Sequence, residues 1–390
     1  MALGAPWRWT LVPRAEIRLD QLDALRGLLA VYVLTGHARW LLWAGHAEWM
    51  RQPHDGWQVP LVYASGMFRF GREAVLIFFA LSGFFIHAGA ARRLSQGATL
   101  AFATSHFYQR RAHRLVAPYL FALLATVACD AIGMTWFPRL YAAATGDPLL
   151  DVTFAHSGYT AASIGPALLL LPSSLGQNFG SNGPLWSLAY EVVYYAWYPL
   201  WLWARQRSAL AAYVVVPAAF TIVSMVVAVP FVASVLVWYP AWLVGAALAE
   251  HVTSPRPYRV SPAVAVVVFW IALLAYIAVP SIYVKILSAT VFAAAAVYTF
   301  AVAQVDRRHP GLVLFEYLGL RSFTIYIVHF PFLALLGAAV IQLTGTRPLA
   351  GWLAVGGAAS AVAFGCLCFA VCERHFLHRR VAGPHLAAAS

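Results

Sequence analysis

The sequence predicts an all-α fold, a polytopic transmembrane helical bundle of about ten spans with the N- and C-termini cytoplasmic. Three observations carry this expectation. Of 390 residues, 62% are apolar and only 10% fully charged, against about 45–50% and 25% in an ordinary soluble domain. Mean hydropathy is +0.72. The apolar residues also fall in continuous runs of about 20, the length a helix needs to cross the hydrocarbon core, rather than alternating at period two as membrane strands do. Intrinsic disorder, a collagen-like repeat and a water-soluble enzyme are excluded.

In chain order the runs are 22–43, 73–91, 115–134, 185–204, 209–228, 232–250, 261–280, 286–304, 321–342 and 349–372. They form a membrane domain over 22–372, with a cytoplasmic segment 1–21 before it, a cytoplasmic tail 373–390 after it and one long outer loop at 135–184. Arg26 interrupts the start of the first run and no small-residue cleavage site follows, so that run reads as a retained span rather than a secretory signal. Within the loop, Ile164 to Leu175 contains Pro166 and Pro172. It is too short to cross, and packs at the outer interface or re-enters.

Charge placement supports the count. The chain carries 26 Lys or Arg and a net charge of +12. A nucleic-acid binder would gather such residues on one polar face, whereas here they lie between the runs. With the N-terminus inside, 19 fall on the cytoplasmic side, among them Arg8, Arg14, Arg256, Arg259, Arg379 and Arg380. Arg39, Arg51, Arg69, Arg72, Arg139, Lys285 and Arg347 are left outside. This is the positive-inside pattern. The four cysteines (Cys129, Cys366, Cys368 and Cys372) sit in apolar stretches without metal-ligand spacing and read as buried thiols; no metal site is expected.

Ionisable groups within spans are costly, about 2.5–3.5 kcal/mol on insertion scales, and mark candidate sites. Arg26 and His37 lie eleven residues apart, about 16 Å of rise and close to three whole turns, so they share one helix face. Singly, Arg26 also reads as a snorkelling interfacial residue and His37 as a packing hydrogen-bonder. In the second run, Ser82-Gly83 permits close approach by a helix or a ligand. In the fourth, Glu191 lies about two turns below the outer surface, near the depth of His37, which makes the two natural partners. Arg110, Arg111 and Arg114 precede the third run as topology anchors or as an anion site. Late in the chain, His329 reads as facing the bundle interior.

Five segments, in order, resemble the bacterial integral-membrane acyltransferase family 3, whose members O-acylate sugars of O-antigen, exopolysaccharide, Nod factor and some antibiotics. They are Leu22-Asp23-x-Leu25-Arg26-Gly27 with His37, Phe78-Phe79-x-Leu81-Ser82-Gly83-Phe84, Arg111-x-x-Arg114, Pro184-Leu185-Trp186-Ser187-Leu188-x-x-Glu191, and Ser322-Phe323-x-x-Tyr326-x-x-His329. The resemblance covers about 18–375. It departs from the family pattern at Phe323, where a tyrosine is common, and at Leu76, where an acidic residue is common.

The resemblance implies His37 as the catalytic imidazole, Arg26 as its motif partner and Glu191 as a site carboxylate. It further implies Arg111 and Arg114 as donors toward the phosphates of an acyl-CoA co-substrate, with Ser82 on the same donor side and acetyl as the expected group. The acceptor is then a glycan or lipid-linked saccharide, the partners otherwise being membrane lipids and no nucleic acid, in the bacterial inner membrane. His37 would act as general base or briefly carry the acyl group. Two other readings stay open: a glycan or lipid transporter or flippase, against which no paired inverted halves are visible, and acylation of a small antibiotic-type acceptor.

Overall fold

The structure, a computed structural model, describes residues 18–97, 104–255, 257 and 260–376. Most of segment 1–21, tail residues 377–390, and Arg8, Arg14, Arg256, Arg259, Arg379 and Arg380 lie outside the described residues.

Helix α1 (Leu19–Leu42) leads through short α2 (His46–Met50) and α3 (Gln58–Ser65) into α4 (Gly71–Ser95) and α5 (Thr104–Trp136). The long connection holds α6 (Pro138–Tyr141), α7 (Pro148–Ala155) and α8 (Ala161–Leu168). Two-residue strands β1 (Ser157–Gly158) and β2 (Asn178–Phe179) pair in parallel within it. Then follow α9 (Trp186–Arg207), α10 (Val216–Val226, entered through a π-turn), α11 (Pro230–Thr253), α12 (Pro262–Ala278), α13 (Ile282–Val302), α14 (Pro310–Gly319), α15 (Ser322–Thr344) and α16 (Trp352–Val371).

Each of the ten apolar runs is a helix, but six are both long and apolar enough to cross a membrane: α4, α5, α11, α13, α15 and α16 with its following turn. The other four differ for two reasons. Helices α1 and α9 have 24 and 22 residues, but their candidate-site charges and, in α9, a dense set of Tyr and Trp lower their hydropathy. Helix α12 has 17 residues, and α10 with its π-turn covers only Ala211–Val226, short of the ~20 a perpendicular span needs. Helix α5 has 33 residues, about 50 Å, so it begins well before its apolar run. Arg110, Arg111 and Arg114 therefore stand on the helix itself, not on a linker before it.

Glycine sets the closest helix contacts. A Cβ on Gly83 of α4 would lie 2.0 Å from the Trp242 carbonyl oxygen, and one on Gly245 of α11 would lie 1.8 Å from that of Ala80. The same holds between α1 and α14, where Gly27 would meet the Phe315 carbonyl at 2.1 Å and Gly319 the Asp23 carbonyl at 1.8 Å. Small residues at such crossings let backbones touch, the main source of helix association in lipid. Helix α1 is thereby central, packed against α4, α13, α14, α15 and α16.

The long connection is tied down by buried polar groups. Asp130 of α5, fully buried, accepts hydrogen bonds from the Ser181 backbone N–H (2.8 Å), the Ser181 hydroxyl (2.6 Å) and the Tyr159 hydroxyl (2.7 Å). Asn182 donates to Thr126 Oγ1 (3.0 Å) and to the Ile327 carbonyl (2.9 Å). These bonds fix the chain just ahead of Pro184 and so set where α9 starts. Arg347 pairs with Asp147 and donates to the Trp40 carbonyl at 2.8 Å, which holds α7's cap against the end of α1. Ile164 to Leu175 forms the end of α8 and the turns after it.

Candidate active site

Helix α1 carries Arg26 and His37 to two different cavities. Arg26 lines a narrow one of about 140 Å³, together with Ser82, Arg111, Arg114, Ser187, Glu191, Tyr195 and Tyr326. His37 lines a wide one of about 940 Å³. Tyr326 and Val75 are the residues common to both linings, so they stand where the two cavities adjoin. Helix periodicity makes the division along α9: Trp186 and Tyr190 face the wide cavity, while Ser187, Glu191 and Tyr195, spaced by four, face the narrow one.

The narrow cavity thus gathers five of the six candidate residues: Arg26, Ser82, Arg111, Arg114 and Glu191. Its polar groups form a directed chain. Tyr195 donates to the Glu191 carboxylate; its oxygen is then left to accept from the Ser82 hydroxyl (3.2 Å), which in turn accepts from the Trp242 indole (3.4 Å). Arg26 lies 3.5 Å from Asp23 and over the Phe85 ring, 5.8 Å from its centroid. Arg111 and Arg114 make no ion pair among the described residues. The Nε of Arg111 is buried without a hydrogen-bond partner. Arg26 is balanced by Asp23, whereas Arg111 and Arg114, held in no ion pair among the described residues, are the guanidinium groups suited to phosphate oxygens.

Glu191 is not the partner of His37. The sequence placed them at similar depth, but tertiary packing turns Glu191 to the narrow cavity, and His37 meets His329 instead, Nδ1 to Nε2 at 2.8 Å with the rings stacked 5.1 Å apart. This contact fixes the protonation pattern. His329 Nδ1 lies 2.6 Å from the Tyr326 backbone carbonyl, which can only accept, so His329 carries its proton on Nδ1 and, when neutral, offers a lone pair at Nε2. His37 must then donate through its own Nδ1, which leaves His37 Nε2 as a lone pair. An imidazole with a bare Nε2 and an acceptor behind its Nδ1–H has the arrangement that general-base chemistry requires. His329 is fully buried, while His37 is half-buried on the cavity wall.

Tyr326 completes the arrangement. Its carbonyl holds His329, its hydroxyl lies 2.8 Å from Ser187 Oγ and 3.2 Å from the Pro184 carbonyl, and its ring stands between the cavities. Sequence reasoning assigned no role to Tyr195, His329 or Tyr326, though the last two lay in a quoted motif. The spacing Tyr326-x-x-His329 was the available signal, since i,i+3 residues share a helix face. Among the described residues no three His, Cys, Asp or Glu side chains come together as a metal-ligand set.

Searches among curated proteins and among solved structures gave no match. The acyltransferase domain of family 3 matches residues 19–372, which takes in α1 through α16 and every residue of both cavities. With six helices able to span a membrane, this chain belongs to acyltransferase family 3 and is an integral-membrane acyltransferase.

Proposed function

We propose that the protein moves an acyl group, acetyl in the simplest case, from acyl-CoA to a hydroxyl of a sugar in a cell-surface glycan. The donor occupies the narrow cavity and the acceptor the wide one. The observation that carries this reading is the hydrogen-bonded line from the Tyr326 carbonyl through His329 to His37, which leaves a base at the wide cavity, beside the arginine-lined slot that adjoins it. The CoA phosphates lie against Arg111 and Arg114, the pantetheine arm runs past Ser82 and Glu191, and the thioester reaches His37 where the cavities adjoin, at Tyr326 and Val75. The eleven residues from Arg26 to His37, about 16 Å, match the reach of that arm.

His37 Nε2 takes the proton of the acceptor hydroxyl as its oxygen attacks the thioester carbonyl. The new C–O bond forms, the C–S bond breaks, and the same proton passes from Nε2 to the departing CoA sulfur. While His37 is protonated, His329 Nε2 accepts from its Nδ1–H and stabilises the imidazolium. In this reading the ten helical runs all cross or enter the bilayer of the inner membrane, both ends face the cytoplasm, and the Arg111 end of α5 meets cytosolic acyl-CoA.

The test is CoA thiol release by the purified protein supplied with acetyl-CoA and its host's surface glycan, with mass spectrometry of the product. His37→Ala should lower turnover by about 10²–10⁴-fold while the protein remains folded and inserted. Turnover close to that of the unaltered protein would reduce His37 to a packing residue.

A further inference from the structure

The rim of the wide cavity carries more positive charge than acyl transfer to a neutral sugar requires. Arg39, Arg69 and Arg72 line it beside His37, and no Asp or Glu does. Arg39 is anchored by its Nε, which donates to Ser65 Oγ at 3.1 Å, and by the Trp43 ring beneath it, 4.8 Å from the centroid. Arg69 rests over Phe70 at 5.0 Å, and Arg69 and Arg72 are both exposed. None of the three forms an ion pair among the described residues. Glu73, in the first turn of α4, does not line the cavity; it is near enough to attract Arg72 and Arg69 but stays beyond ion-pair distance of both.

Backbone dipoles add to the same field. Helices α4, α9 and α11 all begin at this cavity, through Gly71, Trp186 and Pro230. None of the three N-caps (Phe70, Leu185 and Val229) supplies a side-chain hydrogen bond. Each helix start contributes roughly half a positive charge, which falls off within its first turn. A cleft lined by one sign of charge concentrates ligands of the other. Aromatic side chains, among them Trp40, Trp186 and Tyr190, supply flat apolar faces within the same walls.

The charge distribution of the whole chain sharpens the point. Basic residues are sparse on the non-cytoplasmic side of a membrane protein. Of the seven that the sequence leaves there, Arg347 is matched by Asp147, whereas three surround this cavity without a carboxylate.

We propose that the wide cavity takes an acidic saccharide, with the acylated hydroxyl at His37 and a carboxylate or phosphate of the same glycan among Arg39, Arg69 and Arg72. This rests on the reading of the wide cavity as the acceptor chamber and narrows its substrate class. The guanidinium fork suits a carboxylate or phosphate bidentately, and the aromatic walls hold the rings. Anionic lipid headgroups offer the same chemistry from another source, and the experiment separates the two.

Full-length protein in phosphatidylcholine nanodiscs is titrated by calorimetry with tetragalacturonate and with neutral maltotetraose. The acidic probe should bind at least ten-fold tighter, with the preference shrinking as salt is raised. The triple variant Arg39→Gln, Arg69→Gln, Arg72→Gln should lose the preference, and the corresponding triple Lys variant should retain most of it, which separates charge from folding. Equal binding of both probes by the unaltered protein, or an undiminished preference in the Gln variant, overturns the proposal. So does loss of the preference in discs containing phosphatidylglycerol, which would assign the arginines to lipid headgroups. CoA thiol release from acetyl-CoA is measured in parallel. Turnover without an acid preference sinks this inference alone, and an acid preference without turnover sinks the acyl-CoA reading alone.

Discussion

Replacing His329 tests the proton arrangement more sharply than removing the base itself. His37 Nδ1 has His329 Nε2 as its partner, at 2.8 Å, and the Tyr326 carbonyl dictates which nitrogen of His329 holds the proton. In His329→Phe the ring volume is nearly kept but the acceptor is lost. His37 then either leaves its Nδ1–H unpaired or moves its proton to Nε2, where it can no longer act as a base. A hydrogen bond to a group that becomes charged is worth about 1.5–3 kcal/mol; at 1.36 kcal/mol per factor of ten, the loss corresponds to roughly 10- to 200-fold in kcat. This is less than the effect of His37→Ala, because the base itself survives. His329→Gln can place an amide oxygen where Nε2 stood and should recover part of the rate. The assay is CoA thiol release in nanodiscs with acyl-CoA varied: kcat should fall while the KM for acyl-CoA stays unchanged, because no donor-cavity residue is touched. A His329→Phe enzyme with unaltered kcat, or one whose defect lies wholly in KM, refutes the reasoning.

Three further expectations follow from the same geometry. Replacing Arg111 and Arg114 together by Gln should raise the KM for acyl-CoA several-fold with a smaller effect on kcat, since charge-assisted phosphate contacts are lost without disturbing His37; calorimetric binding of acyl-CoA at full strength would return these arginines to topology anchors. Single cysteines at exposed Ala155, in the long connection, and exposed Arg308, between α13 and α14, in an otherwise Cys-free background should respond oppositely to an impermeant thiol reagent on intact spheroplasts. Ala155→Cys should label and Arg308→Cys should not; the reverse pattern would invert the orientation and remove the cytosolic route to the narrow cavity. Gly319→Val should cost about 3 kcal/mol or more, because even its Cβ would lie 1.8 Å from the Asp23 backbone carbonyl and α1 must separate from α14; an unchanged melting temperature in detergent would show that this crossing is not tight.

The apolar runs alone located ten helical segments, six of them long and apolar enough to cross a membrane, because a backbone in an apolar setting satisfies its polar groups most cheaply as a helix. One-dimensional spacing also put Arg26 and His37 on one helix at opposite ends, since 3.6-residue periodicity is a local property. The runs did not show where each helix begins and ends, so α10 and α12 prove shorter than a span, and in α1 and α9 the polar residues that build the cavities lower the mean hydropathy of the helix.

Tertiary structure alone decided the partners. His329 is 292 residues from His37 in the chain, and Glu191 lines the narrow cavity while the depth-matched imidazole lines the wide one. Arg39, Arg69 and Arg72 appeared in the sequence only as residues left over from the positive-inside pattern, and only the tertiary structure sets them around one cavity together with three helix starts. The physical reason is the same in each case. Helix rotation and crossing in lipid are set by small-residue contacts such as Gly83 on Trp242 and Gly319 on Asp23, and these pairings are long-range choices that no local periodicity encodes.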